Sequence, residues 1–380
     1  MYLSVFMGPF SRSGADDLPL IDLCLRQAQA AAAAGFAMVT FGEQHFNNYE
    51  PYCNPFLMAA RLSPDLGDAY FGTTIVPLPL QQTLRLAENA NIIDLLTRGR
   101  FIMGLSAGRV GFSPDFRNFG IDPDKRHEIF DAKFDLLLRA QEHRPDDPPL
   151  IPGIPGDAGE LNGRLMPISY RAGGPLLAIG SNTDAVIEKA GTRGRPVFLG
   201  PCLPSDAARK FALHRTAMTA AGFADEHVAL QSTRSLVTRH VIVGRSEDEA
   251  WDMAERMAGA NPMMDRSGDP RTLREMAAMD LSDLPAGPAA MADPLVRNAV
   301  HVQSWIIAGD PGGVAEQIRE YPERGIPHLN VRFTVGPYDP DLFDRSFQLF
   351  AKEVMPGLAP QTFAAPAGEE IRPEHRGEAR

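Results

Sequence analysis

The chain has 380 residues, of which 37 are Lys or Arg and 48 are Asp or Glu, a formal charge of −11. That acidic balance excludes a general nucleic-acid binder, which needs a basic face, but leaves room for one small anion in a local pocket. No apolar run approaches the roughly 18–20 residues of a transmembrane helix, and no basic segment followed by a cleavable apolar one opens the sequence. Three scattered cysteines (Cys24, Cys53 and Cys202) make neither a disulfide framework nor a zinc site. The expectation is a soluble cytoplasmic protein with reduced thiols, no metal and no membrane.

In chain order, residues 2–7 form a short β-prone run ending at Gly8-Pro9, and 18–34 carry Leu20, Leu23, Cys24 and Gln27 at helical spacing before a stop at Gly35. Residues 36–41 are short and apolar, as a strand buried on both faces should be. A helix over 55–62, a strand over 69–76, a helix over 80–96 and a strand over 101–106 follow. The helix at 125–140 precedes strand 176–181, helix 184–190, strand 196–199, helix 206–221, strand 236–243 and helix 247–259. Strand 305–308, helix 314–324, strand 329–333 and helix 341–354 complete the series.

Strict alternation of strand and helix means right-handed βαβ units and a parallel sheet. About eight such units fit one closed barrel, the size of which is typically about 250 residues plus insertions. A doubly wound open sheet is the rival, weakened because no G-x-G-x-x-G follows the first strand. The reading is therefore an α/β fold, a (β/α)8 TIM barrel with inserted loops, in one domain over 1–358. Two stretches break the rhythm: 144–175, rich in Pro and Gly and read as a lid or inserted loop, and 261–297, rich in Met, Ala, Asp and Pro with no period. Residues 359–380 read as a disordered tail.

Four segments carry a family resemblance: FGEQHF at 41–46, NP at 54–55, GTTIVPLP at 72–79 and RLAENANIIDLLTRGRFIMGLSAG at 85–108. Their order and spacing resemble the bacterial-luciferase-like, flavin-dependent monooxygenases, almost without a shift to about Gly120 and more weakly at 180–183 and 305–356. The resemblance implies a (β/α)8 barrel, a flavin at the C-terminal ends of the strands, and a homodimer packed through the helix at 80–96. There Leu84, Ala87, Ile92 and Leu95 share a side with Arg85 and Glu88, and the small Ala87 and Ala90 favour close approach of a partner.

Residues at strand ends and in the following loops line the pocket of such a barrel. Glu43, Gln44 and His45 stand just past the second strand, Thr73 and Thr74 near the end of the third, and Ser106 at the end of the fourth. His45 leads for acid–base work because an imidazole exchanges protons near neutrality, and Glu43 is placed to fix its tautomer. The family pattern here is Glu-His-His, with the first histidine as base. Gln44 occupies that position and takes no proton, so either His45 has the role or the reaction needs no base there. Ser106 stands where the luciferase catalytic chain has a reactive cysteine, and Ala107 where it has an arginine, with Arg109 two residues on. Gly180-Ser181-Asn182-Thr183 follows a strand and opens a helix, which suits a phosphate as well as an ordinary helix cap. The resemblance assigns the FMN phosphate to it, with Arg126 as the matching cation and His127 one residue away. Trp305 falls in a late strand, near flavin or substrate or else in the core. Arg98 and Arg100 lie at the stability face of the barrel and read as structural.

The resemblance thus implies an FMN-dependent monooxygenase. Reduced FMN, supplied by a separate flavin reductase, and O2 would oxygenate a small organic substrate through a flavin-4a-peroxide. The alternatives are a hydride-transfer oxidoreductase of the same superfamily using a deazaflavin coenzyme, and a non-catalytic flavin-binding partner subunit.

Overall fold

The computed structural model of the protein describes residues 1–109, 114–154, 156–258, 268–281, 293–336 and 339–376. Nine parallel strands form one sheet: β1 (Tyr2–Phe6), β2 (Met38–Phe41), β3 (Tyr70–Pro77), β4 (Phe101–Ser106), β5 (Leu176–Gly180), β6 (Val197–Leu199), β7 (Leu236–Val243), β8 (Ile306–Gly309) and β9 (His328–Arg332). Successive strands β1 to β7 pair in order, β9 pairs with both β7 and β1, and β8 runs beside the C-terminal half of β7. Eight strands thus close a barrel, with helices around it. The chain is a (β/α)8 barrel, as the alternation of elements implies.

The helices that matter below are α1 (Asp17–Ala33), α2 (Pro55–Leu62), α3 (Thr83–Leu96), α4 (Asp115–Asn118), α5 (Arg126–Glu142), α6 (Asp184–Thr192), α7 (Pro204–Ala220), α8 (Asp225–Arg234), α9 (Glu247–Ala258), α10 (Leu273–Ala277) and α11 (Pro294–Trp305). Helix α11 corrects the sequence expectation. Trp305 is its last residue rather than the first of a strand, and the preceding stretch is opened by Asp293, whose side chain accepts from Leu295 N with Pro294 at the first position. Residues 261–267 and 282–292 of the 261–297 stretch lie outside the described residues.

Side chains alternate between faces along a strand, and that period sorts each strand into barrel interior and outer layer. Met38, Tyr70, Ile102, Ala178, Phe198 and Leu236, one from each of β2 to β7, form a closed apolar cluster. One step higher the interior turns polar: Thr40 Oγ1 donates to Asn330 Oδ1 at 3.3 Å, and Asn330 Nδ2 to Thr238 Oγ1 at 3.4 Å. A further step reaches Phe6, Thr74, Ser106, Gly180 and Arg332, which line the cavity at the C-terminal face.

The Pro/Gly-rich insertion does not cover that cavity. Among the described residues, none from 144 to 175 lines it. Leu150 and Leu165 join the main core, and Asp157 is buried at the start of α3, accepting from Thr83 N and Oγ1 at 2.6 Å each. The buried Lys133 of α5 lies 3.3 Å from the same carboxylate and donates to Gln81 O at 2.5 Å and Pro79 O at 3.2 Å. The insertion is pinned at Asp157, whose one carboxylate accepts from Thr83 at the start of α3 and faces the Lys133 ammonium.

The tail is likewise placed through residue 376. Phe363 stacks on Tyr2 at 4.8 Å and meets Tyr70 and His328 edge-on, while Arg171 pairs with Glu370 at 3.1 Å. One aromatic residue that plugs the N-terminal end of the barrel, together with that ion pair, overrides a composition that reads as disordered.

Removing one member of a buried ion pair leaves the other charge uncompensated, which costs roughly 3–5 kcal/mol. Asp157→Ala should lose about that much stability in denaturant unfolding, since it also leaves Thr83 N and Oγ1 at the start of α3 without their acceptor. A loss under about 1 kcal/mol would show that this pinning is not structural.

Candidate active site

A cavity of about 800 Å³ opens at the C-terminal ends of the strands. Of the residues expected from sequence, Glu43, Gln44, Thr74, Ser106, Arg109, Arg126, Ser181, Asn182, Thr183 and Trp305 line it, and so does His127. Two do not. Thr73 neighbours Thr74, so strand alternation turns it away, and its buried hydroxyl donates to Gly104 O at 2.9 Å. His45 is set back behind Glu43, with Nε2 3.0 Å from Glu43 Oε1 and its ring edge-on to Phe119 at 5.0 Å.

The wall at Thr74 and Ile75 is a β-bulge: the register against β4 shifts between Thr73 and Val76. The bulge needs small neighbours. A Cβ on Gly104 would strike Thr73 O, and one on Gly180 would strike the Ile75 side chain. These glycines of β4 and β5 leave the space into which the bulge projects. Thr74 lines the cavity, and its Oγ1 is buried without a hydrogen-bond partner.

One end of the cavity is cationic. Ser181, Asn182 and Thr183 form the turn from β5 into α6, with Thr183 N donating to Ser181 Oγ at 3.0 Å and Asn182 Nδ2 reaching Gly200 O at 3.4 Å. Arg126, at the start of α5, donates to Pro123 O at 3.0 Å and lines the same end. The sequence reading missed Lys189, in the last turn of α6, and Arg193, just past its end, both on the cavity wall. They share Asp131 at 2.6 and 3.4 Å, and Arg193 also reaches Asp135 at 3.2 Å. Three cations therefore line this side of the cavity, Lys189 and Arg193 paired with Asp131 and Arg193 also with Asp135. The signal was an i, i+4 Lys-Arg pair following the Ser-Asn-Thr turn.

Glu43 is buried, and its Oε1 accepts from Gln81 Nε2 at 2.5 Å as well as from His45. Burial raises the Glu43 pKa against the opposing hydrogen bond from His45. For His45, burial acts to lower the pKa, but the Glu43 hydrogen bond and charge outweigh it and the net shift is upward. The pair therefore keeps a shared proton to higher pH than a free imidazole would. On the other side of the cavity, Trp305 stacks on His301 at 4.7 Å and meets His240 edge-on at 4.7 Å. Burial lowers the pKa of both histidines, and the charges of Arg109 on His301 and of Arg332 and Arg239 on His240 push the same way, so both rings are neutral near neutrality.

Fold and site together define a (β/α)8 barrel with a partly aromatic cavity at the C-terminal ends of its strands, lined near β5 and α6 by Ser181, Asn182, Thr183 and Arg126. The luciferase-like monooxygenase family matches over residues 1–328, and the chain belongs to it. It is 27% identical over 188 residues to the alkanal monooxygenase alpha chain of a Kryptophanaron alfredi symbiont, 48% of this chain and 50% of that one. The chain matches only about a third to a half of the length of such curated relatives. Two solved structures share the fold. The monooxygenase RslO1 of Streptomyces bottropensis superposes with a TM-score of 0.74 at 19% identity, covering 94% of this chain and 100% of that one. The oxygenating constituent of 3,6-diketocamphane monooxygenase of Pseudomonas putida, a type II Baeyer-Villiger enzyme in complex with FMN, gives 0.70 at 18%, covering 94% and 98%.

The Glu43–His45 pair can be tested directly. Its folded-state pKa is raised, so its contribution to stability is complete below about pH 6.5 and fades as pH rises through the raised value. In an NMR titration the His45 imidazole should hold its proton above pH 6.5 in the wild type. Glu43→Gln should lower the midpoint, because both raising effects of Glu43 go while burial remains, opposed only by the smaller effect of the Asp115 charge. An unmoved midpoint would dissolve the pair.

Proposed function

We propose that the chain is the oxygenase component of a two-component FMN-dependent monooxygenase: it binds reduced FMN from a separate reductase and uses O2 to oxygenate a small organic substrate. The observation that carries this reading is the Ser181–Thr183 turn on the same cavity as Arg126, with Lys189 and Arg193 lining it near the far end of α6. A phosphate is met by backbone N–H groups at such a turn, and a guanidinium gives it charge-assisted hydrogen bonds. The Thr74 hydroxyl, buried and unpartnered beside Ser106, supports the same reading, since a planar polar ring reaching inward from the phosphate end would give it a partner.

When bound, reduced FMN supplies the electrons that activate O2, chemistry that belongs to the cofactor. The chain's own part is binding, shielding and proton handling. The Ser181–Thr183 turn and Arg126 hold the phosphate, Thr74 and Ser106 offer hydroxyls midway along the cavity, and Arg109 adds a cation at its wall. Phe116, Phe130, Phe198 and Trp305 exclude water from the interior. Gln44 faces the cavity as a neutral donor and acceptor, and Glu43 carries a proton between cavity and His45. The histidine that remains in the Glu-Gln-His run thus acts through Glu43, and His45→Ala should lower turnover by about 10²–10⁴-fold with FMN affinity retained.

The dimer is part of this proposal, on a different footing from the sequence argument. Ala87 and Ala90 are fully buried in the chain's own core, so their small size serves intrachain packing. The apolar groups offered to a partner are Ile92 and Leu96 of α3 and Leu57 of α2, 42%, 50% and 68% exposed. Arg85 and Glu88 form an exposed pair at 3.9 Å, the kind that contributes little.

The cofactor assignment is tested by phosphate discrimination. FMN should bind the wild type at least about 10-fold more tightly than riboflavin, and Arg126→Ala should weaken FMN alone by about 1.5–3 kcal/mol. Equal affinity for the two flavins, or preferential binding of a deazaflavin coenzyme, would overturn it.

A further inference from the structure

The end of the cavity away from the phosphate turn holds two buried charged side chains that cofactor binding leaves unused. Glu50 follows β2 and Arg332 ends β9; both line the cavity, and they are only 5% and 7% exposed. Arg332 Nε donates to Thr334 O at 3.2 Å and one of its Nη groups donates to Gly8 O, while its guanidinium lies 5.2 Å from the centre of the Phe6 ring. A guanidinium has five N–H donors, so donors remain for a guest. Glu50 Oε2 is buried with no hydrogen-bond partner. The carboxyl is seated against Gly42, where any Cβ would strike it; the backbone is shaped to hold a carboxyl at this point. Burial raises the Glu50 pKa to about 8 despite the Arg332 charge, so near neutrality Glu50 is an acid beside a cation. The rings of Phe6 and Tyr49 line the same end.

We propose that Glu50 and Arg332 form a substrate subsite for a flat hydroxy-carbonyl compound. Its carbonyl oxygen accepts from Arg332, its neighbouring hydroxyl bonds to Glu50, and its ring body lies against Phe6 and Tyr49. The inference rests on reading this cavity as a joint cofactor and substrate site, and it names the substrate class that site selects. A donor and an acceptor on adjacent carbons complete both buried groups at once. A simple ketone satisfies the guanidinium and leaves the carboxyl unpaired, a defect that sites built for a hydroxyl discriminate against strongly.

The test uses the full chain without cofactor, titrated by calorimetry with 2-hydroxy-1-indanone, which carries carbonyl and hydroxyl on adjacent carbons, and with 1-indanone, which lacks the hydroxyl. The hydroxy ketone should bind the wild type at least about 10-fold more tightly. Glu50→Leu should cut that ratio below about 3-fold, Glu50→Gln should keep part of it because an amide still accepts from the hydroxyl, and Arg332→Met should weaken both ketones. FMN affinity, measured separately by flavin fluorescence, should be unchanged in every variant and reports that each is folded. If Arg332→Met does not fold, the two Glu50 variants decide. Equal binding of the two ketones by the wild type, or a preference that survives Glu50→Leu, would overturn the subsite. Failure of the wild type to bind FMN would instead overturn the cofactor reading, and the ketone ratio would still decide the subsite.

Discussion

A single buried ammonium ties the barrel, the insertion and the acid–base pair together. Lys133 meets Asp157 of the insertion on one side and the Gln81 carbonyl on the other. The Gln81 side chain then donates to Glu43, which accepts from His45. Each link is paired, so the cost of burying charge is met along the whole row. The row fixes where α3 begins, where the insertion turns, and where Glu43 points. Burial of the same lysine lowers its pKa, while the Asp157 charge acts to hold it up; the pinning of the insertion depends on that carboxylate.

Strand alternation does the complementary work from inside the barrel. Residues two apart share a face, so one period carries the interior from an apolar plug through Thr40, Thr238 and Asn330 to the cavity floor. It also separates Thr74 from Thr73 without any further contact. The glycines of β4 and β5 leave room for the bulge, and the bulge delivers Thr74.

The fold was legible because parallel strands covered on both faces leave short apolar runs, and helices between them leave clear stops. Much of the site was legible for the same reason, since strand ends mark the cavity. What escaped reading depends on contacts far apart in sequence. Asp157 sits in a Pro/Gly-rich stretch with no period, and only its meeting with Lys133 and Thr83 gives it a role. Phe363 looks like part of a loose tail until Tyr2, Tyr70 and His328 are seen around it. Lys189 and Arg193 read as solvated helix charges until α6 is docked beside Arg126. Glu50 lies in a loop whose spacing announces nothing, and its burial comes from Gly42 and Arg332. In the loop after β2, Glu43 and Gln44 line the cavity, and His45 reaches it only through its hydrogen bond to Glu43.

The central claim is that this barrel holds reduced FMN in a water-excluding cavity where O2 reacts under the protein's control. Rapid mixing of the anaerobic complex of the chain and reduced FMN with oxygenated buffer, followed by flavin absorbance, tests it most directly. The expected result is reoxidation slowed well below that of free reduced FMN, with a time course distinct from it. Reoxidation at the rate of the free flavin, under conditions where FMN is shown to be bound, would contradict the account.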